Sequence, residues 1–303
     1  MNATVLISGG TGLVGTRLTQ LLQEKGYTVT HLSRSVSGDE KVKTYQWNIK
    51  KKEIDPEALI GVDYIIHLAG AGIADKRWTD KRKELILKSR TESTELLRDS
   101  IAKLNNHAIK AFVSASAVGY YGIDTGKTWV DEESPSGDGF AAEVTHQWEA
   151  AVDKINPLNL RVVKIRIGIV LSEKGGALVK IMQPIKFGVG APLGRGNQYM
   201  SWVHLDDLCR LFIFALEQRE IQGVYNGVAP NPATNHELTK KTADVLNKPL
   251  FLPNIPAFAL KLLLGEMAQV VTGGNRVKSD KIEKAGFEFK YTDLRPALVD
   301  LLK

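Results

Sequence analysis

The apolar run Val5-Leu6-Ile7, followed directly by Ser8-Gly9-Gly10-Thr11-Gly12-Leu13-Val14-Gly15, constrains this chain more than any other stretch. An apolar strand that stops at closely spaced glycines and then opens a helix lets backbone N–H groups and the helix N-terminus meet an anion together. Both Gly10-x-Gly12-x-x-Gly15 and Gly9-x-x-Gly12-x-x-Gly15 read through it, and the amphipathic positions Leu13, Leu18, Leu21 and Leu22 follow. Glycine also makes ordinary tight turns. Here its place between strand and helix predicts a dinucleotide pyrophosphate turn carried by Gly9, Thr11, Gly12, Leu13 and Val14.

The rest of the first two thirds repeats that grammar. Strand-like runs at 4–7, 27–32, 44–47, 64–68, 111–114 and 161–166 alternate with helical patterns at 16–25, 82–102 and 141–154, which predicts βαβ units and a parallel sheet. After Leu171 the texture turns to glycine-rich loops, with short helices near 205–216 and 236–246 and a last helical block at 257–303. The expected division is a nucleotide-binding domain over 1–170, with 200–225 returning to it, and a mainly substrate-binding lobe over 171–303 that includes a small C-terminal domain at 250–303.

A chain of 303 residues with 43% apolar content can bury a substantial core. Its formal charge of +6 is spread among acids rather than gathered in one stripe, so neither nucleic acid nor membrane is expected as a partner. The most apolar late segment, 257–264, is short and interrupted by Lys261, and nothing at the start resembles a leader, so a cytoplasmic protein is expected. Cys209 stands alone and the histidines lack ligand spacing, so no metal site is expected. The expected partner is a small-molecule substrate, and the assembly a monomer or homodimer.

About twenty residues beyond the glycines, an NAD site usually places Asp or Glu against the adenosine ribose. This chain has Ser33-Arg34 there. A guanidinium can pair with a 2′-phosphate and stack on adenine, and the missing carboxylate removes a repulsion, so the cofactor predicted is NADP. The plainer reading of Arg34 is a solvated strand end.

These motifs resemble the short-chain dehydrogenase/reductase superfamily, in its extended, epimerase-like branch. His67-Leu68-Ala69-Gly70 is similar to that superfamily's Asn-Asn-Ala-Gly element, which implies that Leu68, Ala69 and Gly70 lie against the adenosine side. By the same resemblance Arg90 reaches back to the cofactor phosphates, the alternative being an arginine on a solvated helix face. Val113-Ser114-Ala115-Ser116, running on to Tyr120-Tyr121-Gly122, resembles the catalytic-serine segment, which implies that Ser116 polarises the reacting oxygen. The usual partner, Tyr-x-x-x-Lys, is missing: none of the eight tyrosines has lysine four residues on, and Phe140 and Val144 stand at the matching places. Tyr121 is the remaining candidate proton donor, against its plainer reading as core.

That departure narrows the resemblance to an atypical subgroup. Its pattern is matched by Asp131-Glu132-Glu133-Ser134-Pro135, by Trp148-Glu149-Ala150-Ala151, by Ser201-Trp202-Val203-His204 and by Leu264-Gly265-Glu266-Met267. The resemblance implies an α/β fold, a Rossmann-type doubly wound parallel sheet with a smaller C-terminal lobe, NADP binding and no settled substrate. Gly168 stands near the asparagine that nucleotide-sugar epimerases carry, which argues against sugar nucleotides. Arg195 and Arg276 are candidate anion holders or solvated loop residues, and His204 is expected to pin a loop and cap a helix rather than catalyse. Two functions follow: an NADP(H)-binding, epimerase-like oxidoreductase using Ser116 and Tyr121, or a non-catalytic NADPH-binding sensor.

Overall fold

The computed structural model describes residues 3–35, 42–104 and 106–303. In chain order the first half holds β1 (Thr4–Ser8), α1 (Leu13–Glu24), β2 (Thr28–Ser33), β3 (Lys43–Asn48), β4 (Glu53–Ile54), β5 (Tyr64–His67), α2 (Asp80–Ala102), β6 (Ala111–Ala117), β7 (Asp124–Val130), α3 (Phe140–Asp153) and β8 (Arg161–Ile167). Then come β9 (Ile169–Leu171), α4 (Gly176–Lys186), β10 (Tyr199–Met200), β11 (Trp202–His204), α5 (Leu205–Glu217), β12 (Gly223–Gly227), β13 (Ala233–Thr234) and α6 (Asn235–Val245). Last are α7 (Ala257–Leu264), α8 (Gln269–Thr272), β14 (Gly274–Val277), α9 (Asp280–Lys284) and α10 (Leu294–Leu302).

Eight strands form one sheet in the order β12-β8-β6-β5-β1-β2-β3-β4. Every neighbouring pair is parallel except β3 with β4. The central strands are apolar without alternation because helices cover both faces: Val5, Leu6, Ile7, Ile65 and Ile66 are all 0% exposed. Helices α1 and α5 pack together on one face, and α2 and α3 on the other. Chain order runs outward from β1 through β2 and β3, then returns to β5 and runs the opposite way. The crevice between β1 and β5, at the strands' C-terminal ends, is thus the topological switch point where ligands bind such sheets.

A second apolar cluster lies beyond the sheet, around Leu178, Trp202, Leu238, Leu294 and Leu298. It is stitched back to the nucleotide-binding half in two places. Strand β14 pairs in parallel with β7, and the Asp207 carboxylate at the head of α5 accepts the backbone N–H groups of Lys290 and Tyr291 at 2.9 and 2.8 Å. No helix among the described residues is long and apolar enough to cross a membrane.

Three elements depart from the sequence expectation. Helix α1 starts at Leu13 rather than residue 16, so its N-terminus sits directly on the glycine turn. Helix α4 forms from Gly176, with Pro184 inside it, where the glycine-rich texture had pointed to loop. Strand β7 contains Gly126 and is mostly exposed, so no apolar alternation announces it.

Candidate active site

The glycine turn is built by close approach. Gly9 has φ +77°, and a Cβ on it would lie 3.0 Å from the Ala69 nitrogen, so a side chain is excluded by conformation and space together. A Cβ on Gly15 would lie 2.3 Å from the Gly9 carbonyl oxygen, which is how α1 seats itself on the turn. Gly12 caps α1 without a side chain, leaving the first-turn N–H groups with no side-chain acceptor. Those donors and the positive end of the helix suit a diphosphate.

Gly9, Thr11, Gly12, Ser33, Arg34, Leu68, Ala69 and Gly70 all line one cavity of about 490 Å³. Sequence reasoning had named each of them. Arg34 is exposed and also borders an adjoining cavity of about 640 Å³, whose wall holds Lys50, Lys81 and Lys88 against the carboxylates Glu84 and Glu92. Among the described residues no acidic side chain stands at the end of β2, and Asp75 is the carboxylate on the glycine-turn cavity's wall.

Leu13, Val14 and Arg90 do not line that cavity. Leu13 packs near Gly175 and Gly176, and the Val14 carbonyl receives the Cys209 thiol. Arg90 is partly buried beneath the loop that follows Gly70. Its Nη1 donates to the carbonyls of Ala71 and Ile86 at 3.0 and 2.9 Å, and its guanidinium lies 5.1 Å from the Trp148 ring centroid. It therefore props the loop at 70–72 from beneath, and burial pushes its pKa down to about 10. His67 is likewise structural: Nδ1 meets the Ser8 hydroxyl at 2.6 Å, Nε2 meets Thr94 at 3.1 Å, and burial pushes its pKa down to about 3. It crosslinks the two strands at the switch point as a neutral ring.

Arg82 and Ser89 are among the wall residues that went unnamed as ligands. Arg82, part of the basic run 81–83, donates to the Gly72 carbonyl at 2.5 Å beside Asp75, and Ser89 accepts the Ala71 N–H at 3.0 Å. The basic run was the available signal for Arg82; Ser89 had none beyond its neighbour Arg90.

Ser116 and Tyr121 belong to a buried network rather than to a cavity wall. The Ser116 hydroxyl donates to Glu149 Oε1 at 2.6 Å, and Arg166 grips both Glu149 oxygens at 2.8 and 2.9 Å. Arg166 Nη1 also donates to the Tyr121 oxygen at 3.1 Å, while the Tyr121 hydroxyl donates to Asn226 Oδ1 at 2.7 Å. Ser116 is 3% exposed and Tyr121 5%, and burial pushes the Tyr121 phenol up to about 12. A bidentate, fully hydrogen-bonded pair offsets the cost of burying two charges, which makes this a brace between β6, α3 and β8. Phe140 packs edge-on against Trp78 at 4.8 Å, and Val144 is buried. Neither carries a proton.

A third cavity, of about 230 Å³, opens where β6 and β8 end. Ala117, Val118 and Gly168 form one side, and Gln269, Gly273 and Asn275 from the last block form the other. Of the anion candidates, Arg195 pairs with Asp124 at 3.0 Å, and Arg276 is held between the Trp129 and Tyr199 rings at 4.1 and 4.6 Å. His204 caps α5 by accepting the Asp206 N–H at 3.1 Å, and Asp206 pairs with Arg17 at 2.7 Å.

The sequence pattern of the NAD dependent epimerase/dehydratase family matches residues 5–226. The chain belongs to that family. A domain of unknown function, DUF1731, matches residues 255–301, the block that closes the third cavity. An Arabidopsis thaliana chloroplastic homologue of epimerase family protein SDR39U1 is 40% identical over 304 residues, covering 97% of this chain and 85% of the relative. A Staphylococcus aureus epimerase family protein is 35% identical over 300 residues, covering 98% of each. The crystal structure of human epimerase family protein SDR39U1 with NADPH superposes with a TM-score of 0.87 at 32% identity, covering 98% of both chains. UDP-glucose 4-epimerase from Thermotoga maritima, at 19% identity and a TM-score of 0.79, shares the fold.

Proposed function

We propose that this protein binds NADP(H) across the C-terminal edge of its sheet and is an oxidoreductase acting on a small-molecule substrate. The observation that carries the cofactor choice is the end of β2: Ser33 and Arg34, rather than a carboxylate, face the phosphate-turn cavity, and Arg34 also borders the cavity beside it that holds Lys50, Lys81 and Lys88. NADPH in the human relative supports the same choice. The residues fit the group. The Gly9–Gly15 turn supplies unspent N–H groups for the diphosphate, Arg34 meets the ribose phosphate, and Ala69 and Gly70 leave clearance beside the adenosine.

Bound NADPH supplies a hydride; the chain's own residues hold and enclose. Ser116, Glu149, Arg166 and Tyr121 fix the end of β6 against β8, so the floor of the third cavity is rigid. That brace also favours a second reading. With both named proton donors committed to internal partners, the protein would bind NADPH without turnover and report it to a partner.

Titration by nicotinamide fluorescence tests the cofactor: NADPH should bind at least ten-fold more tightly than NADH, the worth of about one charge-assisted contact. Equal affinity, or none for NADPH, removes the proposal. Single-turnover oxidation of bound NADPH over a carbonyl panel separates enzyme from sensor.

A further inference from the structure

Resting on that cofactor reading, we propose that the cavity between the β6 turn and the C-terminal domain is a subsite for a small, uncharged oxygen compound. Such a ligand is a ketone, aldehyde or alcohol with an apolar body, and the Tyr199 hydroxyl donates a hydrogen bond to its oxygen. The wall decides the chemistry. Among the described residues no charged side chain lines this cavity, and apolar side chains such as Ile73, Trp78, Ile123 and Val271 dominate it. A diphosphate or carboxylate placed there would lose its hydration with no charged side chain on the wall to pair with it. Size agrees, since about 230 Å³ falls below the roughly 300–1,000 Å³ of sites for drug-sized ligands. Gly168 reinforces the point: a Cβ there would stand 2.1 Å from the Ser201 carbonyl oxygen, so no side chain can reach from that position toward a nucleotide sugar.

Few polar groups on the wall are free to bind. Trp78 Nε1 donates to the Ile73 carbonyl, the Ser201 hydroxyl donates to the Asn275 carbonyl, and Asn275 Nδ2 bridges the carbonyls of Val118 and Gly122. Met200 sulfur accepts from Asn235. Tyr199 and Gln269 line the cavity, and as donors their side chains have no hydrogen-bond partner among the described residues; Asn275 Oδ1, buried on the same wall without a partner, can only accept. Of the two, Tyr199 is held in place: its ring stacks under the Arg276 guanidinium at 4.6 Å, and β14 passes so close that a Cβ on Gly274 would lie 2.0 Å from the Tyr199 carbonyl oxygen. A fixed ring with an unspent hydroxyl is a preorganised donor. Gln269, on the short helix α8, completes the opposite wall.

The test uses NADPH-loaded protein and saturation-transfer NMR with cyclohexanone and benzyl alcohol as neutral probes, and benzoate and UDP-glucose as charged ones. The neutral probes should bind and the charged ones should neither bind nor compete. Tyr199→Phe should weaken the neutral probes about five-fold, the worth of one neutral hydrogen bond, with NADPH affinity unchanged. Val271→Phe, which fills the cavity, should abolish probe binding and leave NADPH bound. UDP-glucose or benzoate binding, neutral probes that fail to bind loaded protein, or Tyr199→Phe behaving as wild type would each overturn the inference. Failure of NADPH itself to bind would instead strike the cofactor reading.

Discussion

Replacing Arg34 by Ala isolates the extra phosphate of NADP(H) from everything else the cleft does. Arg34 is exposed at the end of β2, so its contact with a phosphate is screened by solvent, and the low end of the roughly 1.5–3 kcal/mol range for charged hydrogen bonds applies. About 1.5 kcal/mol corresponds to roughly a ten-fold loss in NADPH affinity. NADH has no phosphate at that place, so its affinity should move less than about two-fold. Lys50, Lys81 and Lys88 continue to attract the anion from the adjoining cavity, so selectivity should shrink rather than vanish. Arg34→Glu adds repulsion and should invert the preference. The assay is fluorescence titration of each nucleotide at low and high salt, since screening should erode both the NADPH advantage of wild type and the smaller, lysine-derived advantage left in the alanine variant. Equal weakening of both nucleotides by Arg34→Ala would show that Arg34 holds the adenine or the fold, and would refute the reasoning.

Other expectations follow from the buried groups. Ser116→Ala and Tyr121→Phe each leave a buried partner short of a hydrogen bond, so denaturant melts should show losses of about 1–3 kcal/mol with NADPH affinity within two-fold; unchanged stability would place these side chains outside the network. His67 is ordinarily near 6.5 and is held near 3 when folded, so its contribution is complete above about 6.5 and erodes as pH falls toward 3. Between pH 7.5 and 5 this amounts to about 2 kcal/mol. The stability difference between those two pH values should shrink by that amount in His67→Gln, and an unaltered difference would count against the neutral buried ring. Gly15→Ala places a Cβ 2.3 Å from a backbone oxygen, so NADPH binding should be lost in calorimetry; retained affinity would mean the turn is not set by that approach.

The glycine turn and the cavity beside it were legible because their rules are local. A glycine turn after an apolar strand, a residue at the end of β2 and an Ala-Gly clearance each follow from backbone sterics or charge within a few residues. Where several long-range partners compete for one side chain, spacing says little. Arg90 read as a phosphate ligand or a solvated arginine, and spacing gave no hint that its Nη1 would hold the carbonyls of Ala71 and Ile86. Ser116 and Tyr121 matched a catalytic segment in sequence, but Glu149, Arg166 and Asn226, from three other elements, take up their hydrogen-bonding groups. Tyr199 gave no signal: a two-residue strand among glycine-rich loops has no periodicity to read.

The same contrast explains why the last block matters to the site. In a fold whose proton-carrying tyrosine and lysine share one helix, α3 would complete the reaction chamber by itself. Here α3 presents Phe140 to Trp78 and buries Val144, so that helix gives the chamber packing and no chemistry. The side of the chamber facing β6 and β8 is finished by Gln269–Asn275, inside the region matching a domain of unknown function. That region is not a loose appendage. β14 pairs with β7, Asn275 Nδ2 ties the carbonyls on either side of the turn after β6, and Asp207 holds the backbone at 290–291. The glycine-turn cavity at β1 and β5 and a lobe anchored at β7 and α5 thus flank the ends of β6 and β8, so the shape of the third cavity depends on how the C-terminal block is seated.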